Sequence, residues 1–447
     1  MLDSQGTTSP TPQIGGSRYT TWRRRLVYLG RHGPFAMAAS SLPGVVNYGI
    51  LLYLAYASSV HDAGVYRLMI AYFTLLGLAV LLESAKLIIR ASAAGDTAAL
   101  GRLLVARMTF SMLAFIVIAT AHGGAGLIGI KIMPADLVWL AAIAFFYYPA
   151  DMYRSVLQAE RRFLTLFITD AVKYGFAFAG FVAAMWSGTS IGMATFAYLL
   201  ALTVFQLVSA AWWLRGKIKL PPLRSLWNAV YSREINEAFG LSVANLLPNS
   251  LADVDKMIVG HVFGLHVLGI YSIGFSTGRF IYNSLKPSLC IYYTHFVERL
   301  PSRAALAGIF FVFSMFGVAM SAMTMFAVRT IPQFERLQSS EAVSIVMFMF
   351  YGIAMADTVY VQAYMINRHT RSWHVMVANL VGSVPCVVLF GVATYFPPPV
   401  ALVLFAAHFG VRHLVAFVTL CFLHAWSNAD RSAAREPGLS VSVGSPK

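Results

Sequence analysis

The sequence predicts an all-α membrane protein in which about twelve transmembrane helices form two six-helix repeat bundles around a central cavity. Three observations predict it. The 447 residues are 58% hydrophobic and only 11% charged, with a mean hydropathy of +0.68, which is more apolar surface than a water-soluble chain can bury. Apolar runs of about 20 residues, each long enough to cross the hydrocarbon, recur from end to end. Landmarks of the first half return in the second at a nearly fixed spacing.

Taken in order, residues 1–34 are expected to be a disordered, basic cytoplasmic N-terminus, rich first in Ser, Thr, Pro and Gly and then carrying Arg23, Arg24 and Arg25. The run from Phe35 to Ser58 exceeds the 7 to 15 apolar residues of a signal-peptide core, so it reads as a retained span. Further spans are expected at 66–89, 104–122, 135–157, 163–186 and 190–214, completing an N-terminal bundle over 35–214. Residues 215–237 hold Pro221, Pro222 and alternating basic and apolar residues, as an amphipathic cytoplasmic linker on the membrane surface would. The C-terminal bundle, 238–425, takes spans at 238–262, 266–291, 304–328, 341–366, 373–395 and 399–425, and 426–447 is expected to be a disordered cytoplasmic tail.

The net charge of +15 could suggest a nucleic-acid partner, but the cations fall in short loops between apolar runs. With the N-terminus inside, 23 of the 33 Lys and Arg lie in inner segments, while outer ones hold only Arg67, Lys131, Arg329 and Arg336. That bias places both termini in the cytoplasm and argues against nucleic acid. The three cysteines, Cys290, Cys386 and Cys421, lie in apolar segments without ligand spacing, so no metal site is expected.

The repeat is carried by four landmarks. Leu42 and Pro43 return as Leu247 and Pro248, and Gly64 and Tyr66 as Gly269 and Tyr271, both at an offset of 205. Ala150, Asp151 and Tyr153, then Arg161, return as Ala356, Asp357 and Tyr360, then Arg368, at 206 to 207. Two six-span halves give parallel repeats about an axis along the membrane normal. Pro43 and Pro248 are candidate hinges for alternating access.

Candidate site residues follow from polar groups at helical spacing inside apolar spans. Span 7 aligns Ser242, Asn245, Asn249, Asp253 and Lys256, and span 8 aligns Ser272, Ser276, Arg279, Asn283 and Lys286. A charge at the membrane centre costs about 2.5 to 3.5 kcal/mol on insertion scales, so these stripes face protein or water. One reading is a hydrated cavity whose cations Lys256, Arg279 and Lys286, joined by Lys86 and Arg412, attract an anion. Asn245, Asn249, Asp253, Asp255, Ser276 and Asn283 would then line it. The other reading has Asp253 or Asp255 neutralising Lys256 and Lys286 snorkelling to the inner surface. Glu83 with Lys86, and Asp170 with Lys173, stand three residues apart and read as ion pairs, with cavity lining kept open for Lys86. Asp357 has no cation at helical spacing before it, so it is a candidate proton or sodium site, or a bridge to Arg279 or Arg412. His408 and His413 flank Arg412. No other cofactor is expected.

Asp255 to Tyr271, with Leu247 and Pro248 before it and residues 61–80, resembles the polysaccharide-transporter family, the Wzx-like flippases of the multidrug/oligosaccharidyl-lipid/polysaccharide exporter superfamily. The family shows an Asp before an apolar run in span 7 and a Gly-x-Tyr opening span 8, here Asp255, Gly269 and Tyr271. Gly64 and Tyr66 opening span 2, with Arg90 after it, and Gln158 and Arg161 closing span 4, are similar to it in the first half. The resemblance implies a bacterial inner-membrane flippase that moves a lipid-linked oligosaccharide, on a polyprenyl diphosphate, to the periplasmic leaflet for surface polysaccharide, O-antigen or exopolysaccharide. It implies a polysaccharide polymerase and a chain-length regulator as partners besides membrane lipids. Cavity cations would meet the diphosphate. A cation-coupled multidrug exporter of the same superfamily is the alternative. A major-facilitator signature is missing between spans 2 and 3, and the outer segments are too short and too poor in acids for a polymerase or glycosyltransferase. With no nucleotide loop, metal triad or activated nucleophile, the chain is not expected to be an enzyme.

Overall fold

Backbone groups in hydrocarbon find no water, so apolar runs satisfy them internally as helices. The computed structural model describes residues 18–81, 84–127, 135–222, 224, 232–285, 300–331, 337–367, 370 and 372–433. Among them lie fifteen α-helices. The N-terminal half holds α1 (Arg18–Ala57), α2 (Val60–Leu78), α3 (Ala85–Ala93), α4 (Thr97–Leu127), α5 (Ala135–Ala150), α6 (Met152–Ala159), α7 (Phe163–Trp186) and α8 (Ile191–Leu214). The C-terminal half holds α9 (Arg233–Val262), α10 (Leu265–Leu285), α11 (Arg303–Thr330), α12 (Glu341–Met349), α13 (Tyr351–Ile366), α14 (Ser372–Ala393) and α15 (Pro398–Ala433).

Each expected span coincides with one helix or a broken pair. Seven helices are long and apolar enough to cross a membrane alone, and α12 with α13, bent by 46°, makes an eighth. The others are broken, as α2/α3 and α5/α6 are, or carry the polar stripes, as α9 and α10 do. Two expected disordered segments are partly helical. Helix α1 begins at Arg18, because no Pro and no Gly interrupts its Arg- and Leu-rich start until Gly30, and α15 continues to Ala433 ahead of Pro437. Residues 1–17 and 434–447, and residues 223 and 225–231 of the expected linker, lie outside the described residues. Helices α1 and α9 run on through Pro43 and Pro248, and, besides the gap between α2 and α3, breaks fall at Asp151 and Phe350. At Asp151, Pro149 cannot bond the Phe145 carbonyl, which accepts the Ser111 hydroxyl of α4 at 3.3 Å instead.

The halves meet through α1 and α2 on one side and α9 and α10 on the other. A Cβ on Gly64 would stand 1.9 Å from the Leu265 carbonyl oxygen, and one on Gly269 would stand 2.0 Å from that of Val60. Leu265 and Gly269 are the offset-205 counterparts of Val60 and Gly64, so the contact is reciprocal, as a two-fold relation between parallel repeats requires. Nearby, Arg67 pairs with Asp253 at 3.2 Å, Tyr72 bonds His261 at 3.2 Å, and Thr277 donates to the Tyr48 hydroxyl at 2.9 Å. The halves are thus clamped at the end where α2 and α10 begin, opposite the basic end where α1 begins. At the basic end, Ile235 and Ala238 of α9 enter the core of the N-terminal bundle, and Phe239 stacks on Phe110 of α4 at 5.9 Å.

Candidate functional site

The clamp leaves room below it, in the basic half of the C-terminal bundle. A cavity of about 430 Å³ lies between α9, α10, α13, α14 and α15, with Lys86 of α3 reaching it from the other bundle. Its polar wall is Asn249 of α9, Arg279 and Asn283 of α10, Asp357, Thr358 and Gln362 of α13, Asn379 of α14, and His408, Arg412 and His413 of α15. Phe275, Tyr282, Phe409, Trp373, Met365 and Met376 supply the apolar part. Each helix delivers these groups from the face pointing into its own bundle, where a charge avoids lipid.

Asp357 is the pivot. Its Oδ2 accepts from His413 Nδ1 at 2.7 Å, the carboxylate being able only to accept. Its Oδ1 is buried and without a hydrogen-bond partner, although the residue is only 4% exposed. A buried carboxylate oxygen left unpaired is costly, and this one stands at the cavity wall. Tyr282 bonds the hydroxyl of the adjacent Thr358 on α13. His408 stacks on Phe275 at 5.6 Å and 8°, and Phe409 meets His413 edge-on at 4.9 Å. Arg279 and Arg412 have no carboxylate within ion-pair distance among the described residues.

The structure therefore brings together Arg279, Lys86, Arg412, Asn249, Asn283 and Asp357. It does not bring Lys256, Asp255 and Asp253 to the wall, which corrects their expected place in the cavity. Lys256 and Asp255 are fully buried and paired at 3.0 Å. Lys256 also donates to the Ala252 carbonyl, and the Tyr271 hydroxyl to Asp255. Asp253 is spent on Arg67. The cause is depth: the cavity ends at Ala252, and one turn further α9 is gripped by α2 and α10, so the same helical face becomes interface. Ser276 is half-buried and off the wall. Lys286, Glu83 and the Asn245 side chain lie outside the described residues. Tyr282, Gln362, Trp373, Met376 and Asn379 are wall residues that the sequence reading passed over. The polar ones were visible as polar groups in apolar spans, whereas Trp373 and Met376 carried no signal.

The N-terminal bundle holds a second polar centre, and it is filled. Asp170 receives Arg154 Nη2 at 2.9 Å and Lys173 at 2.9 Å, the latter forming the expected pair in span 5. Lys173 also donates to Gln206 at 2.9 Å, and Gln206 Nε2 donates to Asp151 at 2.6 Å. The Lys173 ammonium lies 4.8 Å from the Tyr174 ring centroid.

Two helical bundles, joined along four helices, with a polar cavity in the C-terminal one, define a polytopic, all-helical membrane protein. The chain is similar in fold to solved MATE transporters of the MOP superfamily. It matches an inward-facing multidrug resistance MATE transporter of that superfamily with a TM-score of 0.56 at 14% identity, over 96% of this chain and 98% of the other. A MOP superfamily transporter from Pyrococcus furiosus, described as having a binding pocket of reverse polarity, matches at 0.55 and 15%, over 93% and 97%. A MATE transporter of Vibrio cholerae matches at 0.55 and 14%, over 93% and 99%. No family model matches the sequence, and no curated protein matches it.

Proposed function

We propose that this protein is a carrier that moves a lipid-linked oligosaccharide or polysaccharide precursor from the cytoplasmic to the periplasmic leaflet of a bacterial inner membrane. It works by alternating access, as a step in cell-surface polysaccharide biosynthesis. The observation that carries the reading is the charge of the cavity, where Lys86, Arg279 and Arg412 face a single carboxylate, Asp357, among the described residues. Guanidinium groups suit a diphosphate, which they bind in bidentate fashion, while Asn249, Asn283, Gln362 and Asn379 suit sugar hydroxyls. The positive-inside bias makes the basic end cytoplasmic. The clamp then shuts the periplasmic side, and the cavity belongs to the loading half of the cycle.

Arg279→Ala is expected to abolish surface polysaccharide, read by lectin or antibody binding to whole cells, while membrane abundance measured by immunoblot is unchanged. Normal polysaccharide with normal abundance would remove Arg279 from the site. A second reading, cation-coupled multidrug export, draws on the likeness to multidrug transporters and on the unpaired Asp357 oxygen. It predicts that Asp357→Asn flattens the dependence of drug efflux on pH or sodium, with surface polysaccharide unaffected.

A further inference from the structure

We propose that the N-terminal bundle binds an anionic phospholipid at its basic end, in a groove between α4, α5 and α8. The groove is about 450 Å³ and is formed by Leu104, Met108, Phe146, Leu207 and Ala211, with Arg215 at its mouth. Its volume falls within the roughly 300 to 1,000 Å³ of small-molecule sites. Met108 is 46% exposed, Phe146 51% and Leu207 41%, so the floor faces the surroundings of the bundle, which in a membrane are acyl chains.

Two features fix the depth and sign of the mouth. Trp212 is 75% exposed, and its neighbour Trp213 carries the Arg162 guanidinium 4.6 Å from its ring centroid. Indoles with arginines mark the headgroup level. The stretch after α8 is held across the end of the groove, because the Lys219 amide donates to the Thr97 carbonyl at 3.0 Å. Its own carbonyl sits where a Cβ on Gly101 would come within 2.0 Å. Lys217 is taken by Glu160, whereas Arg215 has no ion pair among the described residues. An unspent guanidinium at headgroup depth above an apolar trough complements one molecule: a lipid with a net negative phosphate headgroup, its chain along Met108 and Phe146. The cavity of the transport site lies in the other bundle, so this groove is separate from it.

The test uses the full chain in phosphatidylcholine nanodiscs doped with phosphatidylglycerol or phosphatidylcholine bearing a diazirine on the acyl chain, with labelled peptides mapped by mass spectrometry. Phosphatidylglycerol is expected to label α4, α5 and α8 about fivefold more than phosphatidylcholine, the preference one surface cation gives. Arg215→Gln should lower it to the phosphatidylcholine level. Ala211→Trp, which fills the trough at an exposed position, should remove labelling by both. Equal labelling by the two lipids, or labelling untouched by Arg215→Gln, would overturn the assignment. So would displacement of phosphatidylglycerol by undecaprenyl phosphate, which would make the groove a seat for an isoprenoid.

Discussion

Asp151 in the N-terminal bundle and Asp357 in the C-terminal bundle stand 206 residues apart, as do Gln206 and Arg412, Asp170 and Met376, and Lys173 and Asn379. In the first bundle Gln206 donates to Asp151, Lys173 joins Gln206 to Asp170, and Arg154 closes on Asp170, so the charges of Asp151, Asp170, Lys173 and Arg154 answer one another. In the second, all four counterparts line an open cavity, and one carboxylate oxygen has no partner. A buried ionic network persists only when its members are satisfied. Exchanging an Asp–Lys pair for Met and Asn takes the internal partners away and leaves space for external ones. The duplicated scaffold thus holds a filled polar network in one copy and an open polar cavity in the other.

The strongest way to break this comparison is to unplug the first bundle. Asp170→Asn leaves the buried Lys173 and the half-buried Arg154 without their shared anion. The expected cost is about 3 to 5 kcal/mol, read as a lowered midpoint of thermal unfolding in detergent. Asp170→Met combined with Lys173→Asn writes the C-terminal bundle's residues into the N-terminal one and removes one charge of each sign. It should cost clearly less than Asp170→Asn alone. A double variant no more stable than the single would mean that the pair does more than neutralise itself.

Next in size is the reciprocal contact. Gly64→Ala and Gly269→Ala each push a methyl into the carbonyl of the facing helix. Each is expected to cost about 1 to 3 kcal/mol and to part the bundles at the clamped end. Thiol labelling of a Val60→Cys reporter at that end reads the parting. The two-fold relation predicts similar increases for both glycines. A large effect from one and none from the other would mean that the contact is not symmetric in energy.

Much of this was legible because membrane burial makes polar residues conspicuous. Arg279, Asp357 and Arg412 stand out in apolar runs, and Gly64 with Gly269 announced the repeat before their contact could be known. The rest depended on depth. Asn249 and Lys256 share one face of α9, yet the first meets the cavity and the second the grip of α2 and α10, a distinction set by neighbours far away in the chain. The break at Phe350 was equally hidden, since no proline marks it. Its ring fills the notch at Gly410, where a Cβ would lie 1.9 Å away, and only the packing of α15 reveals that.

The two breaks also differ in how they satisfy the backbone, and this gives the smallest expected effect. At Phe350 the amide turns back to the Met347 carbonyl at 3.3 Å, inside its own chain segment. At Asp151 the preceding Pro149 leaves the Phe145 carbonyl to be served from another helix, by Ser111. Ser111→Ala removes that donor while keeping the packing, and the expected loss is about 0.6 kcal/mol, the mean of hydrogen bonds between membrane helices. Equilibrium unfolding in mixed micelles resolves it. A loss above about 1.7 kcal/mol, the upper end of such bonds, would mean that the hydroxyl supports the bend itself and not one carbonyl. The filled polar centre beside Asp151 would then depend on α4 as well as on its own ion pairs.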